Sequence, residues 1–138
     1  MSLSTFESSI KLIEAPQQRV YDMLSDLNNL ERVKDKLPAD KIEDLSFDRD
    51  SVSVSVQPVG SLTLRVVERE EPKTIKFETA NSPIPFNLWV QLLPASETTT
   101  KVKLTVKAEL NPFIRGMVAG PIQQGLEKIA EALTMVQY

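Results

Sequence analysis

The chain has 138 residues, of which 41% are hydrophobic, and this is long enough for one domain with one substantial core. Its 16 basic and 19 acidic residues give a formal net charge of -3, so nucleic acid is not an expected partner. It contains neither cysteine nor histidine, which excludes disulfides, thiolate chemistry and every Ser-His or Cys-His catalytic arrangement. We predict a single domain over residues 1–138, with no metal and no cofactor.

The sequence shows neither an N-terminal secretory signal nor a membrane span. The N-terminus lacks a basic region followed by an apolar core, and no segment approaches the roughly 20 apolar residues of a membrane span. The sequence therefore predicts a cytoplasmic protein without an integral membrane segment.

The N-terminal segment alternates between two residue classes, which predicts a strand with one buried face. Polar residues at Glu7, Ser9 and Lys11 separate the positions of the expected buried face, which are Phe6, Ser8, Ile10 and Leu12. Ala15-Pro16 then ends the strand.

Two short helices are predicted after this strand. Proline suits the first turn of a helix, and apolar residues at helical spacing indicate a helix from about Pro16 to Ser25. Asp26 or Asn28 can cap a second helix that ends at Pro38. Its apolar face would comprise Leu30, Val33 and Leu37.

From Lys41 to Leu110 the hydrophobic pattern has a period of two, interrupted by turn-forming residues. This pattern predicts six further strands, hence about seven in all. Short turns favour an antiparallel sheet, and one apolar side per strand indicates that one face is covered. The inward positions are represented by Val54, Leu64, Phe77, Leu88, Val90 and Leu104.

At Asn111-Pro112 the pattern changes to one long helix that is predicted to run almost to Tyr138. Its apolar stripe, with spacings of three and four, comprises Ile114, Val118, Ile122, Leu126, Ile129, Leu133 and Val136. A helix this long has to cover an apolar surface, and the strands supply it. We predict an α+β architecture in which the helix closes the concave face of a curved sheet, with a candidate ligand cavity between them.

This element order, together with residues 13–27 (IEAPQQRVYDMLSDL), resembles the START-like superfamily, also called the Bet v 1-like or SRPBCC helix-grip fold. Members of the polyketide cyclase/dehydrase type share a strand ending in Ala-Pro, then a Val, an aromatic residue, a Leu and a Ser-Asp pair. The matching residues here are Ala15-Pro16, Val20, Tyr21, Leu24 and Ser25-Asp26.

The resemblance covers essentially the whole chain. It implies a seven-stranded antiparallel sheet around a C-terminal helix, with a hydrophobic cavity for lipids, sterols, polyketides or similar molecules. It implies no common chemistry, because some relatives are cyclases or aromatases, others carry lipid, and others bind chaperones or ribosomes.

Two readings of the apolar residues follow. They either pack directly against each other as core, or they line a cavity if sheet and helix are held apart. In the second reading the lining comprises the six inward strand positions together with Val118, Ile122 and Leu126.

Two segments are candidates for the mouth of such a cavity. Gly120-Pro121 could kink the helix and shape the opening, although a bend that follows the sheet, or two successive helices, would explain it equally. The loop Ala80–Pro85 presents Ile84 between two prolines, where it could contact a ligand. The alternative interpretation is that the loop is merely a rigid turn.

Few polar residues fall on inward positions. Glu68, Tyr21 and Gln124 are the candidate polar contacts of a ligand, and Glu68 could act as a general base if it were buried. No acid/base pair is recognisable by spacing, so we assign no catalytic residue.

Trp89 is predicted on the outer face of the sheet, where a tryptophan suits a protein partner or a homodimer contact. A β-bulge after Pro85 would turn it into the cavity instead, and packing against the early helices is a third outcome.

Three functions are consistent with these features. The leading hypothesis is binding of an apolar small molecule without catalysis. The alternatives are a polyketide cyclase- or dehydratase-like enzyme and a protein-protein interaction module using the Trp89 face.

Overall fold

The computed structural model describes residues 2–33, 42–56, 60–136 and 138. Their strands are β1 Ser2–Glu7, β2 Lys11–Ile13, β3 Ile42–Phe47, β4 Ser51–Val56, β5 Gly60–Glu70, β6 Thr74–Asn81, β7 Phe86–Pro94 and β8 Thr100–Leu110. These strands form one antiparallel sheet in the order β1-β8-β7-β6-β5-β4-β3, and β2 pairs with β8 next to β1. The helices are α1 Gln17–Ser25, a 3-10 turn Leu27–Asn29, α2 Leu30–Val33 and α3 Pro112–Leu133. The predicted order of one open antiparallel sheet, short early helices and a long C-terminal helix is confirmed.

The single predicted N-terminal strand is divided in two by an extra residue. Glu7 pairs with Thr105 and Lys11 with Val102, so the edge strand uses one more residue than β8 over this stretch. An extra residue reverses which side chains face inward. Phe6 and Ser8 are therefore buried as predicted, whereas Ile10 and Leu12 are 62% and 53% exposed, contrary to the prediction.

The early helices begin and end at identifiable residues. Pro16 has an extended backbone and directly precedes α1, which ends at Ser25 as predicted. Asp26 then caps the 3-10 turn, because its Oδ1 accepts a hydrogen bond from the Asn28 backbone N–H at 3.0 Å. The predicted positions Leu37 and Pro38 lie outside the described residues.

Strand β5 contains a register irregularity, and the predicted inward position of Glu68 is wrong because of it. Val66 pairs with Phe77 and Glu68 with Lys76, so Val67 is an extra residue and the inward phase reverses after it. Glu68 consequently faces outward and is exposed, contrary to its predicted inward position. Arg69, opposite the fully buried Ile75, takes the inward position instead.

Helix α3 starts as predicted and ends earlier. The Asn111 side chain accepts a hydrogen bond from the Ile114 N–H at 2.8 Å, and Pro112 follows at the first helical position. The helix continues through Pro121 as one element and ends at Leu133. There the Tyr138 hydroxyl donates to the Leu133 carbonyl at 2.7 Å and the Thr134 hydroxyl donates to a carbonyl of the last turn, so these carbonyls are satisfied without further helix.

Three polar side chains at four-residue spacing connect α3 to the edge of the sheet, and we call them the α3 latch: Gln123, Glu127 and Glu131. Gln123 Nε2 donates to the Glu7 carbonyl at 2.6 Å, and Glu131 pairs with Lys11 Nζ at 3.3 Å. Glu127 accepts from the Ser9 backbone N–H at 2.5 Å and from the Ser9 hydroxyl at 2.7 Å. These bonds from Ser9 lower the pKa of the Glu127 carboxyl below its ordinary value.

The core lies between the inner face of the sheet and the helices. Its fully buried side chains come mainly from β6, β7, β8 and α1, as Ile75, Leu92, Leu104, Val102 and Val20. The buried Thr100 hydroxyl donates to the Ala15 carbonyl at 2.7 Å, which joins the end of β2 to β8.

The latch predicts a specific pH dependence of stability. Because the pKa of Glu127 is lowered in the folded state, its carboxylate stabilises the fold above the unfolded value of about 4.5, and this contribution is lost as the pH falls through the lower folded value. Glu127→Gln is therefore expected to be less stable than the parent at neutral pH, and the difference should shrink as the pH drops below 4.5. Urea unfolding of both proteins, from neutral pH to below 4.5, measures this difference in stability.

Glu97→Gln, in an exposed turn, is the matched control. Its difference in unfolding free energy from the parent should not shrink as the pH drops. A constant difference between Glu127→Gln and the parent at all pH values would contradict the account.

Candidate functional site

Sheet and helix do not close on each other completely, and the space between them is a cavity of about 290 Å³. Its wall is formed by strands β3 to β8, by helix α3 and by residues 23–30. This linking segment runs from the last turn of α1 through the 3-10 turn to the start of α2. The wall consists of Met23, Leu24, Asp26, Leu27, Asn29, Leu30, Leu45, Val52, Val54, Leu62, Leu64, Phe77, Ile84, Phe86, Leu88, Val90, Leu104, Val106, Ala108, Pro121, Ile122, Gly125, Leu126, Ile129 and Leu133.

The position of α3 explains why space remains. The helix contacts chiefly β8, β1 and β2, where the latch holds it to one edge of the sheet. Its cavity face also includes Gly125, which has no side chain to project across the gap. A Cβ atom placed on Gly125 would meet no atom within 4 Å, so the space in front of this residue is open.

The structure brings together most of the residues that the sequence assigned to a cavity. Val54, Leu64, Phe77, Leu88, Val90, Leu104, Ile122 and Leu126 all lie in the wall. Val118 does not, although it shares the stripe of α3. Its side chain is 5% exposed and belongs to the packed core, so its neighbours already fill the space around it.

The three predicted polar contacts lie outside the wall. Tyr21 is buried in the core, and burial is the main cause that raises the pKa of its hydroxyl. Glu68 faces outward after the irregularity in β5. Gln124 is exposed, because it is two residues from Ile122 and so falls on the opposite side of the helix.

The sequence reasoning missed one side of the cavity, the linking segment of residues 23–30. Its contribution comprises Met23, Leu24, Asp26, Leu27, Asn29 and Leu30. The three-residue spacing of Leu24, Leu27 and Leu30 was visible as a continuous apolar face, and it was the available signal for this side. Ile84, in the loop considered as a mouth, also lies in the wall and is half-buried.

Arg69 fixes the position of this linking segment. Its guanidinium donates two hydrogen bonds to the Ser25 carbonyl, at 3.0 and 2.8 Å, and pairs with Asp50 at 2.8 Å. The Leu27 N–H donates to the Arg49 carbonyl at 3.0 Å. The segment is therefore attached to the β3–β4 turn, and the wall is preorganised on that side.

Trp89 lies on the outer face of the sheet, as the alternation predicted. The Nζ atoms of Lys76 and Lys107 are 5.3 and 5.5 Å from the centre of its ring, which is cation-π distance. The lysine stems also cover apolar surface around a half-buried ring.

Neither a metal site nor a membrane span is found in the described part of the chain. Residues 2–33, 42–56, 60–136 and 138 contain no group of three or more side chains able to hold a metal ion. Within the same ranges no helix is both long and apolar enough to cross a membrane.

Comparison with known proteins identifies related chains. The family model for polyketide cyclase/dehydrase and lipid transport matches residues 5–134. No curated protein matches by sequence.

Solved structures show the same fold at low identity. Norcoclaurine synthase from Thalictrum flavum, in complex with dopamine and hydroxybenzaldehyde, is 13% identical with a TM-score of 0.75, over 97% of this chain and 86% of that one. A START superfamily protein from Mycobacterium smegmatis is 10% identical with a TM-score of 0.63, over 96% and 94% of the two chains. A protein from Thermus thermophilus is 19% identical with a TM-score of 0.64, over 96% and 95%.

Two leucines on the same face of β7 test whether the cavity is real space. Leu92 is 1% exposed and lies outside the wall, so Leu92→Ala creates a new void and should cost about 2–5 kcal/mol of unfolding free energy. Leu88 already borders the cavity, so Leu88→Ala should cost at least about 1 kcal/mol less. Chemical denaturation of both variants measures these losses of unfolding free energy. Equal losses for Leu92→Ala and Leu88→Ala would contradict the presence of a cavity beside Leu88.

Proposed function

Since the chain belongs to the polyketide cyclase/dehydrase and lipid transport family, we propose that it binds an apolar small molecule between sheet and α3 without transforming it. The cavity wall is the observation that carries this proposal. Of the 25 described residues that line it, Asp26 and Asn29 are the ones with polar side chains. A ligand buried there would gain about 25 cal/mol per Å² of apolar surface removed from water.

The size of the cavity limits the ligand. Its 290 Å³ lies just below the range of about 300–1,000 Å³ that is usual for small-molecule pockets. This favours a single alkyl chain or a small ring system over a lipid with two acyl chains.

The chemistry of the wall supports binding over catalysis. Cyclisation or dehydration of a polyketide needs positioned groups that remove and return protons and that stabilise an oxyanion. Asp26 is the titratable residue of the described wall, and the hydroxyl of Tyr21 and the carboxyl of Glu68 lie outside it. A cyclase-like enzyme, the alternative that the family description suggests, would therefore have to work with Asp26 and the Asn29 amide.

Filling the cavity from the helix should abolish binding without loss of stability. Gly125→Leu places a side chain in the open space, so we expect at least about tenfold weaker binding of decanol in a calorimetric titration. Its thermal midpoint should not fall, because replacing an interior helical glycine by a better helix former stabilises by roughly 0.5–1 kcal/mol.

Gly116→Leu is the matched control, since Gly116 is also in α3 with nothing within 4 Å of its Cβ position but lies outside the wall. It should bind decanol like the parent. Unchanged decanol binding by Gly125→Leu would contradict the proposed site.

A further inference from the structure

The described part of the cavity wall carries a negative charge and no positive one. Among the residues that the structure describes, Asp26 is the charged residue of the wall, and neither lysine nor arginine contributes to it. The neighbouring polar residue, Asn29, lies in the same linking segment. The Leu27–Arg49 backbone hydrogen bond of 3.0 Å places this segment beside the β3–β4 turn, so both polar residues mark one end of an otherwise apolar space.

Both side chains retain unused hydrogen-bond acceptors. Asp26 Oδ1 accepts from the Asn28 N–H at 3.0 Å, and no described residue donates to Oδ2. Asn29 Nδ2 donates to the Met23 carbonyl at 2.9 Å, which leaves its Oδ1 without a donor among the described residues. A carboxylate and an amide oxygen can each accept further bonds, so this end of the cavity can receive a donor.

Two arginines of the described chain contact this segment from outside the wall. Arg69 binds the Ser25 carbonyl and Asp50, and Arg32 Nη1 approaches Met23 Sδ at 3.9 Å. Neither residue belongs to the wall. The described wall therefore offers a ligand carboxylate no cation to offset its repulsion from Asp26, whereas an ammonium group would form a charge-assisted hydrogen bond with Asp26.

We propose that the ligand of this cavity is an apolar molecule with a hydrogen-bond-donating end, preferentially an ammonium group, which Asp26 accepts. The inference rests on the proposed function, because it specifies the ligand class of the same site. The apolar wall holds the body of the ligand, and Asp26 with Asn29 sets its direction. A carboxylate of the same length is rejected by repulsion from Asp26 and by the cost of desolvating its charge.

Three probes with the same decyl chain test this at neutral pH: decylamine, decanol and decanoate, each titrated calorimetrically into the full chain. We expect affinities in the order amine, alcohol, carboxylate, with the amine at least about tenfold tighter than the carboxylate. Asp26→Asn should remove this preference, so that the affinities of decylamine and decanoate then differ by less than about threefold.

Asparagine caps helices as well as aspartate does, so the 3-10 turn is preserved in this variant, and Asp26→Ser provides a second substitution that keeps the cap. Asp22→Asn is the matched control. It removes one carboxylate from the exposed side of α1, outside the wall, and should keep the amine preference.

The outcomes separate the two proposals. Saturable decanol binding without an amine preference, or an amine preference that survives Asp26→Asn, would overturn this inference and leave the proposed function intact. Binding of none of the three probes would overturn both.

Discussion

The attachment of α3 to one edge of the sheet determines the rest of this structure. Gln123, Glu127 and Glu131 hold the helix to the segment from Glu7 to Lys11, so its apolar stripe crosses the sheet without resting on the far strands. Empty apolar space costs stability, because the atoms that line it lose contacts that a packed core would provide. A wall that keeps about 290 Å³ open therefore supports the proposal that an apolar ligand binds there.

Two extra residues in strands place the polar groups that this arrangement needs. The insertion between β1 and β2 presents Ser9 to Glu127, and without it the edge strand would continue as a regular ladder. The extra Val67 in β5 turns Arg69 inward, where it fixes the Ser25 carbonyl and hence the segment that carries Asp26. Bulges commonly re-aim side chains, and both bulges re-aim polar side chains here.

These insertions also mark where sequence reasoning stopped. The period of two located β3 to β8 and their inward residues, because side-chain alternation follows directly from strand geometry. It misplaced Ile10, Leu12 and Glu68, since one inserted residue reverses the phase and leaves no clear trace in hydrophobicity. The size of the cavity depends on the distance between α3 and the sheet, which the apolar pattern of α3 does not encode. This pattern therefore could not distinguish Val118, which packs in the core, from Ile122, which lines the cavity.

The most direct test of the account is a methyl-resolved NMR titration of the protein with decanol. The account predicts saturable, stoichiometric shift changes at the methyl groups of Leu88, Ile122 and Leu126, which line the cavity, and none at the exposed Leu3 and Leu93. Saturation without changes at the three cavity residues, or changes confined to the exposed leucines, would contradict a ligand site between the sheet and α3.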